Sequence, residues 1–286
     1  MQINFSLLYM IGAAFFFAVM GACVRFASTS IPIMEIVFFR SFIGLIIVIP
    51  LMVIRKRSFL GSSQSILVIR GLTGFVALSN YFLAISMIPL ATAVMLNYTS
   101  PLFIALLAPL LLRERFDYHV FWMIVIGFVG VICIVKPVID VSLVGAGIGL
   151  LSGMFAAFAY MSISAAKKKG NNSLTIIFYF MVISSILSFP FMVYHFQMPN
   201  MTETIYIVGL SICATIAQIL MTKAYHHGKT ASTSAYSSMI IIFAFIFGMI
   251  FWHEIPTLWS VAGGCLIFIS IVYIAHRESR MLLRNA

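Results

Sequence analysis

Residues 84–135 and 224–275 carry the same sequence pattern at a constant separation of 140 residues, and this duplication constrains the fold more than any other feature of the chain. The shift places Glu114 on Glu254, at the end of an apolar stretch in each half. It also brings into register Ala84 and Ala224, Ala91 and Ala231, Ile36 and Ile176, Phe38 and Phe178, and Pro50 and Pro190. An internally duplicated apolar chain is typical of a transporter whose two halves enclose a central pathway.

The composition predicts a membrane protein. Of the 286 residues, 63% are hydrophobic and 8% are charged, whereas soluble domains carry about 25% charged residues. Because a helix needs about 20 apolar residues to cross the hydrocarbon core, we predict ten membrane-spanning helices joined by short loops. The predicted spans are residues 5–27, 33–54, 66–88, 90–112, 118–136, 143–165, 174–194, 204–225, 230–252 and 256–275.

The basic residues predict how these spans are oriented. With the N-terminus in the cytoplasm, every Lys and Arg except Arg25, Arg40 and Lys136 falls on the cytoplasmic side. The positive-inside rule then places both termini in the cytoplasm. The net charge of +10 is therefore explained by topology, and it does not indicate a nucleic-acid partner.

The number of spans in each half predicts an inverted repeat. Five spans reverse the side from which the second half enters the membrane, so the halves are related by an axis in the membrane plane. We therefore predict an all-α membrane protein with ten transmembrane helices in two inverted five-helix repeats. The predicted units are the first repeat at residues 1–137, the second at 143–278, and a cytoplasmic tail at 279–286.

Three segments resemble the drug/metabolite transporter superfamily, and within it the EamA type. They are NYFLAISMIPLATAVMLNYTSPLFIALLAPLLLRERF (80–116), FFR (38–40) and AYSSMIIIFAFIFGMIFWHEIP (235–256). The resemblance implies a ten-helix carrier in the bacterial inner membrane. Members of the superfamily move amino acids, nucleotide-like metabolites, S-adenosylmethionine, riboflavin and drugs. In one departure from the family pattern, Ile241 stands where the first half has Pro101.

Arg40 is the most informative single residue. It lies about 10 Å along the second span, at 1.5 Å per residue. An unpaired Arg in hydrocarbon costs at least ~2.5 kcal/mol, and its repeat mate is Phe180, so the fold does not require a charge there. We predict that Arg40 contacts an anionic group of the substrate. The alternatives are that it reaches the membrane surface, has a structural partner on another helix, or forms a strained pair with Glu35, five residues earlier.

Two polar clusters supply the other candidate contacts. Pro101 cannot donate to the carbonyl of Asn97, and such a break is tolerated where it lines a cavity or packs against protein. In the eighth span, four polar residues recur on one helical face, which either lines a pathway or holds helices together: Ser211, Thr215, Gln218 and Thr222. The predicted substrate contacts besides Arg40 are Asn80, Tyr81, Asn97, Tyr98, Tyr160, Gln218, Thr222 and Ser237. The alternative for the first cluster is a kink satisfied by Thr99 and neighbouring helices.

Three glutamates near predicted helix ends are candidates for gating or proton coupling: Glu35, Glu114 and Glu254. The resemblance marks Glu114 and Glu254 as a family hallmark. The alternative for these two is that each caps the N-terminus of the next helix, where a negative charge is favourable.

The leading functional prediction is a secondary transporter for a small polar or amphipathic metabolite, such as an amino acid, an S-adenosylmethionine-like solute or a drug-like solute. The sequence contains no ATP-binding loop, so transport is facilitated, exchange-type, or coupled to protons or a counter-solute. We predict no cofactor and no metal site, because the histidines and cysteines lack ligand spacing. The alternative is an integral-membrane enzyme or a non-transporting assembly partner. The substrate, the direction of transport and the oligomeric state are not determined by the sequence.

Overall fold

The computed structural model describes residues 5–112, 118–135, 139–227, 236–237, 239–255 and 257–284. These residues form long helices without a β-strand among them. In chain order the helices are α1 (Phe5–Ala27), α2 (Ile33–Ile54), α3 (Gln64–Met87), α4 (Leu90–Asn97), α5 (Ser100–Leu112), α6 (Tyr118–Val135), α7 (Ile139–Lys168), α8 (Ser173–Tyr194), α9 (Met201–His227), α10 (Ile240–Trp252) and α11 (Leu258–Arg284).

The membrane-spanning character predicted from the sequence is confirmed. In the part of the chain that the structure describes, seven apolar stretches are long enough to cross a bilayer: Phe5–Ala27, Ile33–Ile54, Gln64–Met87, Leu90–Leu107, Ser142–Lys168, Ser173–Tyr194 and Met201–Tyr225. Three shorter apolar helices lie at Tyr118–Ile134, Ile240–Trp252 and Leu258–Ile274, inside the remaining predicted spans. The chain is therefore a multi-pass membrane protein, while the count of ten spans and their inverted orientation stay predictions.

Hydrogen bonds from polar side chains fix the ends of several helices, which the pattern of apolar residues alone does not locate. Asn172 accepts a hydrogen bond from the N–H of Leu174 (3.0 Å) and caps α8. Before α9, the side chains of Asn200 and Glu203 each accept from the other's backbone N–H (2.9 and 2.7 Å), which is a reciprocal capping arrangement. Ser142 has extended backbone angles within α7, and its hydroxyl accepts from the N–H of Gly145 (2.9 Å), so the membrane-spanning part of α7 begins there.

The duplication is visible in the helix boundaries. Shifted by 140 residues, the bounds of α2 coincide with those of α8, and the bounds of α5 coincide with those of α10. The packing follows the same correspondence, because α1 packs on α9 as α7 packs on α3. The corresponding helices α2 and α8 pack on each other, as do α6 and α11. Each of these interfaces joins the two halves, so the core of the molecule lies between them.

Candidate functional site

A cavity of about 70 Å³ lies at the centre of the molecule, lined by α1, α2, α3, α4, α7, α8 and α9. Its lining residues are Phe17, Met20, Arg40, Arg70, Gly74, Ala77, Leu78, Tyr81, Asn97, Tyr98, Ala156, Ala159, Tyr160, Phe180, Gln218 and Met221. A buried water needs roughly 10–15 Å³, so the cavity accommodates several waters. Ligand pockets measure about 300–1,000 Å³, so it has to widen to admit a metabolite.

The lining contains pairs of residues that the 140-residue shift brings into register. These repeat mates are Met20 and Tyr160, Arg40 and Phe180, Leu78 and Gln218, and Tyr81 and Met221. Equivalent positions of the two halves therefore meet at one place, and that place is the cavity. In each pair one side chain carries a polar or charged group and its mate is apolar. The two halves therefore contribute different chemistry at equivalent positions of the cavity.

Two arginines reach the cavity and share one aromatic ring. The guanidinium carbons of Arg40 and Arg70 lie 5.0 and 4.3 Å from the centroid of the Phe180 ring. Both side chains are buried, with 1% and 3% of their surface exposed, and we call this pair the cationic wall. Because Arg40 is buried, its side chain does not reach the membrane surface. It does not pair with Glu35 either, since Glu35 accepts from the N–H of Gln197 (3.0 Å).

Both arginines have unused hydrogen-bonding capacity. Among the described residues, nothing accepts a hydrogen bond from Nε or Nη1 of either Arg40 or Arg70. The lining contains no carboxylate. Each buried Arg costs about 2.5–3.5 kcal/mol on insertion scales, and two positive charges that share one ring repel by roughly 2 kcal/mol at the effective dielectric constant typical of proteins. The described lining of the cavity therefore carries a net positive charge.

The cationic wall depends on a glycine. A Cβ atom at Gly74 would occupy the position of Nη1 of Arg70 and would approach the Phe180 ring to 2.8 Å. The absence of a side chain one turn after Arg70 thus lets its guanidinium lie against the helix and over the ring. Gly74 therefore leaves the space that the guanidinium of Arg70 occupies in the cationic wall.

The predicted helix break forms the next wall. Helix α4 ends at Asn97 and α5 begins at Ser100. The Asn97 amide donates to the hydroxyl of Ser152 (2.9 Å), and the Thr99 hydroxyl donates to the carbonyl of Leu96 (2.7 Å). Gly153 lets α7 approach, because a Cβ there would lie 2.7 Å from the Leu96 carbonyl oxygen. The break is therefore packed against protein and borders the cavity at the same time.

The polar face of α9 is mostly structural. The hydroxyls of Ser211, Thr215 and Thr222 donate to carbonyls one turn earlier, at 2.6, 2.8 and 2.8 Å. Gln218 is the member of this face that lines the cavity. Because the other hydroxyls are satisfied within their own helix, the face keeps α9 buried and exposes one amide to the cavity.

Tyrosines complete the lining. The Tyr81 hydroxyl is buried without a partner among the described residues. Tyr160 stacks on Tyr225 with 5.7 Å between ring centroids, and Tyr98 lies beside the helix break. Tyrosine offers both a ring face and a hydroxyl, so this part of the wall can hold a ring or donate to a polar group.

The structure brings six of the nine predicted contact residues into the lining: Arg40, Tyr81, Asn97, Tyr98, Tyr160 and Gln218. Asn80, Thr222 and Ser237 lie outside it. The Asn80 amide donates to the carbonyl of Val76 (2.8 Å), and Ser237 is buried. Glu114 is outside the described residues, so its predicted role in gating is not addressed by the structure.

A second cluster of polar and aromatic residues lies at one end of the bundle. Arg25, in the last turn of α1, forms an ion pair with Glu254 (2.7 Å) and donates to the carbonyl of Ile88 at the end of α3 (2.7 Å). Arg25 also lies 5.2 Å from the centroid of the Trp252 ring, and the backbone N–H of Leu90, the first residue of α4, acts electrostatically on the Glu254 carboxylate. Burial raises the pKa of the Glu254 carboxyl, against the opposing effects of Arg25 and the Leu90 N–H. We call Arg25, Ile88, Leu90, Trp252 and Glu254 the end cluster.

Sequence reasoning missed Arg70 and Arg25. Arg70 is the fifth residue of its predicted span, and the charge pattern assigns it to the cytoplasmic positive side. The same pattern leaves Arg25 as one of three residual charges on the other side. The signal in both cases is an Arg inside a predicted apolar span, where charge is costly.

The titratable residues give no indication of a metal centre. Among the described residues, no group of three or more His, Cys, Asp or Glu side chains comes together in a way that could hold a metal ion. All four cysteines have free thiols.

Comparisons with known proteins agree with this architecture. The model of the EamA-like transporter family matches residues 4–136 and again residues 143–275. A pseudopaline exporter of Pseudomonas aeruginosa is 34% identical over 270 residues, which cover 93% of this chain and 94% of the exporter. An S-adenosylmethionine uptake transporter of Rickettsia bellii is 21% identical, over 91% of this chain and 90% of its own.

A solved crystal structure shares the fold, with a TM-score of 0.70 at 18% identity, over 97% of this chain and 98% of the other. The family model matches nearly the whole sequence, once in each half. Both the Pseudomonas and the Rickettsia relatives are named as transporters. The chain is therefore a membrane transporter of the drug/metabolite superfamily and belongs to the EamA-like transporter family.

Proposed function

We propose that this protein is a secondary transporter that moves a small polar or amphipathic metabolite across the bacterial inner membrane by alternating access. The observation that carries the proposal is the central cavity, whose polar and aromatic walls come from both halves of the chain. A water-accommodating polar cavity between repeats is where secondary transporters bind their substrates. The substrate range that we propose includes amino acids, S-adenosylmethionine-like solutes and drug-like solutes.

In this proposal the two halves are inverted repeats with both termini in the cytoplasm. The coincident helix bounds and the mated helix interfaces support a two-fold relation between the halves. An odd number of spans per half would make that relation an inversion. Exchange of slightly different conformations between such halves opens the cavity first to one side and then to the other.

The end cluster is the closed gate of this cycle in our proposal. It joins helix ends of the first half to Trp252 and Glu254 of the second half. Opening the cavity toward this end requires that the ion pair between Arg25 and Glu254 separate. Glu254 has the gating role in this proposal. The capping alternative concerned the following helix, α11, whereas the N–H that acts on Glu254 belongs to Leu90 at the start of α4.

Both directions of transport are represented among the relatives. The Pseudomonas relative is named as an exporter and the Rickettsia relative as an uptake transporter. Since alternating access is reversible, the direction would follow from the solute gradient and from any coupled proton or counter-solute. Coupling of either kind is part of the proposal.

The decisive test is solute flux in liposomes that contain the purified full-length protein, measured against a broad panel of anionic, cationic and neutral metabolites. We expect flux of at least one solute, and we expect Arg40→Ala and Asn97→Ala to lower it about ten-fold or more, as for loss of a charge-assisted or buried hydrogen bond. Arg57→Gln, in an exposed loop, is the matched control. Absence of flux for every solute, with chemistry on an added lipid, would favour the membrane-enzyme alternative.

A further inference from the structure

The central cavity contains two positive charges that no residue described by the structure neutralises. Arg40 and Arg70 come from neighbouring helices and converge on the Phe180 ring. Their Nε and Nη1 atoms have no acceptor among the described residues. Each guanidinium therefore has donors free for a ligand.

The acidic residues whose contacts the structure shows are engaged elsewhere. Glu35 accepts from the N–H of Gln197, Glu203 accepts from Asn200 and Ser30, and Glu254 pairs with Arg25. By sequence position, all seven Asp and Glu lie in loops, in the first turns of helices or near the C-terminus. The counter-charge that the two arginines lack is thus not supplied from within the membrane by the described residues.

We propose that the cavity binds a solute with two anionic groups, one for each guanidinium, and that Arg70 is as important for substrate selection as Arg40. This inference rests on the proposed function, in which the cavity is the transport site. Guanidinium groups bind carboxylate and phosphate in a two-pronged geometry that fixes both groups. The Gln218 amide and the Tyr81 hydroxyl lie in the same lining and are placed to bind the polar remainder of the solute.

The charge of the cavity distinguishes this solute from its competitors. A monoanion leaves one guanidinium without a counter-charge. A cationic solute such as S-adenosylmethionine adds a further positive charge to a site that already holds two. Two negative charges on the solute neutralise the site, so affinity and transport are expected to rise from a monoanion to a solute with two anionic groups.

The first measurement concerns the unliganded protein. If Arg40 and Arg70 serve the substrate, then Arg40→Gln, Arg70→Gln and the double variant lose the contact with the Phe180 ring but no hydrogen bond from Nε or Nη1 to a described residue. They also remove a buried charge, so they are expected to melt at or above the temperature of the wild-type chain. If the arginines instead stabilise the fold, these variants melt at lower temperature. A lower melting temperature for both single variants would overturn the proposal. Arg57→Gln serves as the control for removal of an exposed charge.

The second measurement is binding to the full-length protein in detergent or nanodiscs. The probes are the dicarboxylates from succinate to pimelate with their half-amides, and phosphoglycolate with glycolate. We expect at least one dianion to bind about ten- to hundred-fold more tightly than its monoanionic analogue. Each single Arg→Gln variant should remove most of that preference, and the double variant all of it. The two probe families distinguish a second carboxylate from a phosphate.

The outcomes separate this inference from the proposed function. If no dianion in either family binds more tightly than its analogue, or if S-adenosylmethionine binds more tightly than all of them, the dianion inference is wrong. The transporter proposal survives that result whenever liposome flux of another solute is observed. If flux is absent for the entire panel, the transporter proposal itself fails.

Discussion

At the scale of single residues, the cationic wall depends on the fit between Arg70, Gly74 and Phe180. The guanidinium of Arg70 lies where a side chain at position 74 would stand, and it covers the face of the ring at 4.3 Å. Arg70 is charged at any physiological pH, so its contribution is set by position and not by titration. A change that moves the guanidinium without removing it tests this directly.

We expect Gly74→Ala to reduce transport about ten-fold while leaving Arg70 charged. The added methyl group meets Nη1 of Arg70 and the Phe180 ring, so the guanidinium has to shift or rotate away from the ring. Helix propensity favours Ala over Gly by up to ~1 kcal/mol, which offsets part of the cost of displacing the guanidinium and the ring. The measurement is initial flux into liposomes, with melting temperature recorded in parallel.

The matched control is Gly147→Ala in α7, where an added Cβ meets nothing within 4 Å. Both changes add one methyl group to a membrane helix, and only one of them touches the cavity. Equal flux in the two variants would show that the position of Arg70 does not matter for transport.

The two arginines also show which site residues could be predicted from the sequence and which could not. Arg40 lies deep in its span and has an apolar repeat mate, so its importance was predictable. Arg70 lies near a span end, where basic residues ordinarily indicate topology. A long flexible side chain reaches several ångströms from its backbone, so span depth alone did not reveal that the two guanidiniums share one ring.

At the scale of helices, hydropathy and repetition predicted most of the architecture. Predicted spans 5–27 and 33–54 have the bounds of α1 and α2, because long apolar runs end in polar loops. The predicted interruption after Asn97 is confirmed by the end of α4 and the start of α5, since proline cannot continue the hydrogen-bond ladder. The polar face of α9 was correctly predicted as buried. Periodicity does not show which residues of this face reach the cavity. Gln218 does, whereas hydroxyls such as that of Thr222 donate to carbonyls of their own helix.

The end cluster is a contact between helix ends, and its polarity follows the helix dipoles. Arg25 donates to the C-terminal carbonyl of Ile88, where a cation is favourable. The Glu254 carboxylate is stabilised electrostatically by the N–H of Leu90 at the start of α4, where an anion is favourable. The two helix ends therefore favour a positive charge at position 25 and a negative charge at position 254, and not the reverse.

We expect Arg25→Gln and Glu254→Gln each to favour opening at this end, and the exchange variant Arg25→Glu with Glu254→Arg not to restore closure. Loss of a partly buried pair together with a helix-end contact costs about 1–2 kcal/mol, or roughly a 5- to 30-fold shift in the open population. The exchange recreates opposite charges but places each one at the unfavourable helix end. The readout is the rate at which a membrane-impermeant maleimide labels Cys23, two residues before Arg25, in a chain whose other cysteines are replaced by alanine.

Arg57→Gln, in the loop that follows α2, should leave the rate of Cys23 labelling unchanged. If the exchange variant labels as slowly as the wild-type chain, simple charge attraction explains the cluster and the helix-end argument is wrong. If none of the variants labels faster, the cluster does not hold this end closed.

At the scale of the whole molecule, the largest interfaces join one half to the other. Pairs such as α1 with α9 and α3 with α7 cross the boundary between the halves, and the cavity lies among these helices. A packed interior of this kind changes state by moving helices as units, because close-packed surfaces do not deform continuously. Since the cavity has to widen before it admits a metabolite, transport requires the halves to separate at one end at a time.

This requirement predicts that a reversible covalent crosslink across the end cluster stops transport. We expect the double variant Arg25→Cys with Glu254→Cys, in a chain whose native cysteines are replaced by alanine, to lose flux after treatment with a bifunctional methanethiosulfonate. Reduction should restore flux to the level before treatment, because the crosslink is broken and the protein is otherwise unchanged. A monofunctional methanethiosulfonate modifies the same two thiols without joining them, so it should leave most of the flux intact. Undiminished flux in the crosslinked protein, with crosslinking confirmed by mass spectrometry, would show that the solute crosses without any opening at this end and would exclude alternating access through the end cluster.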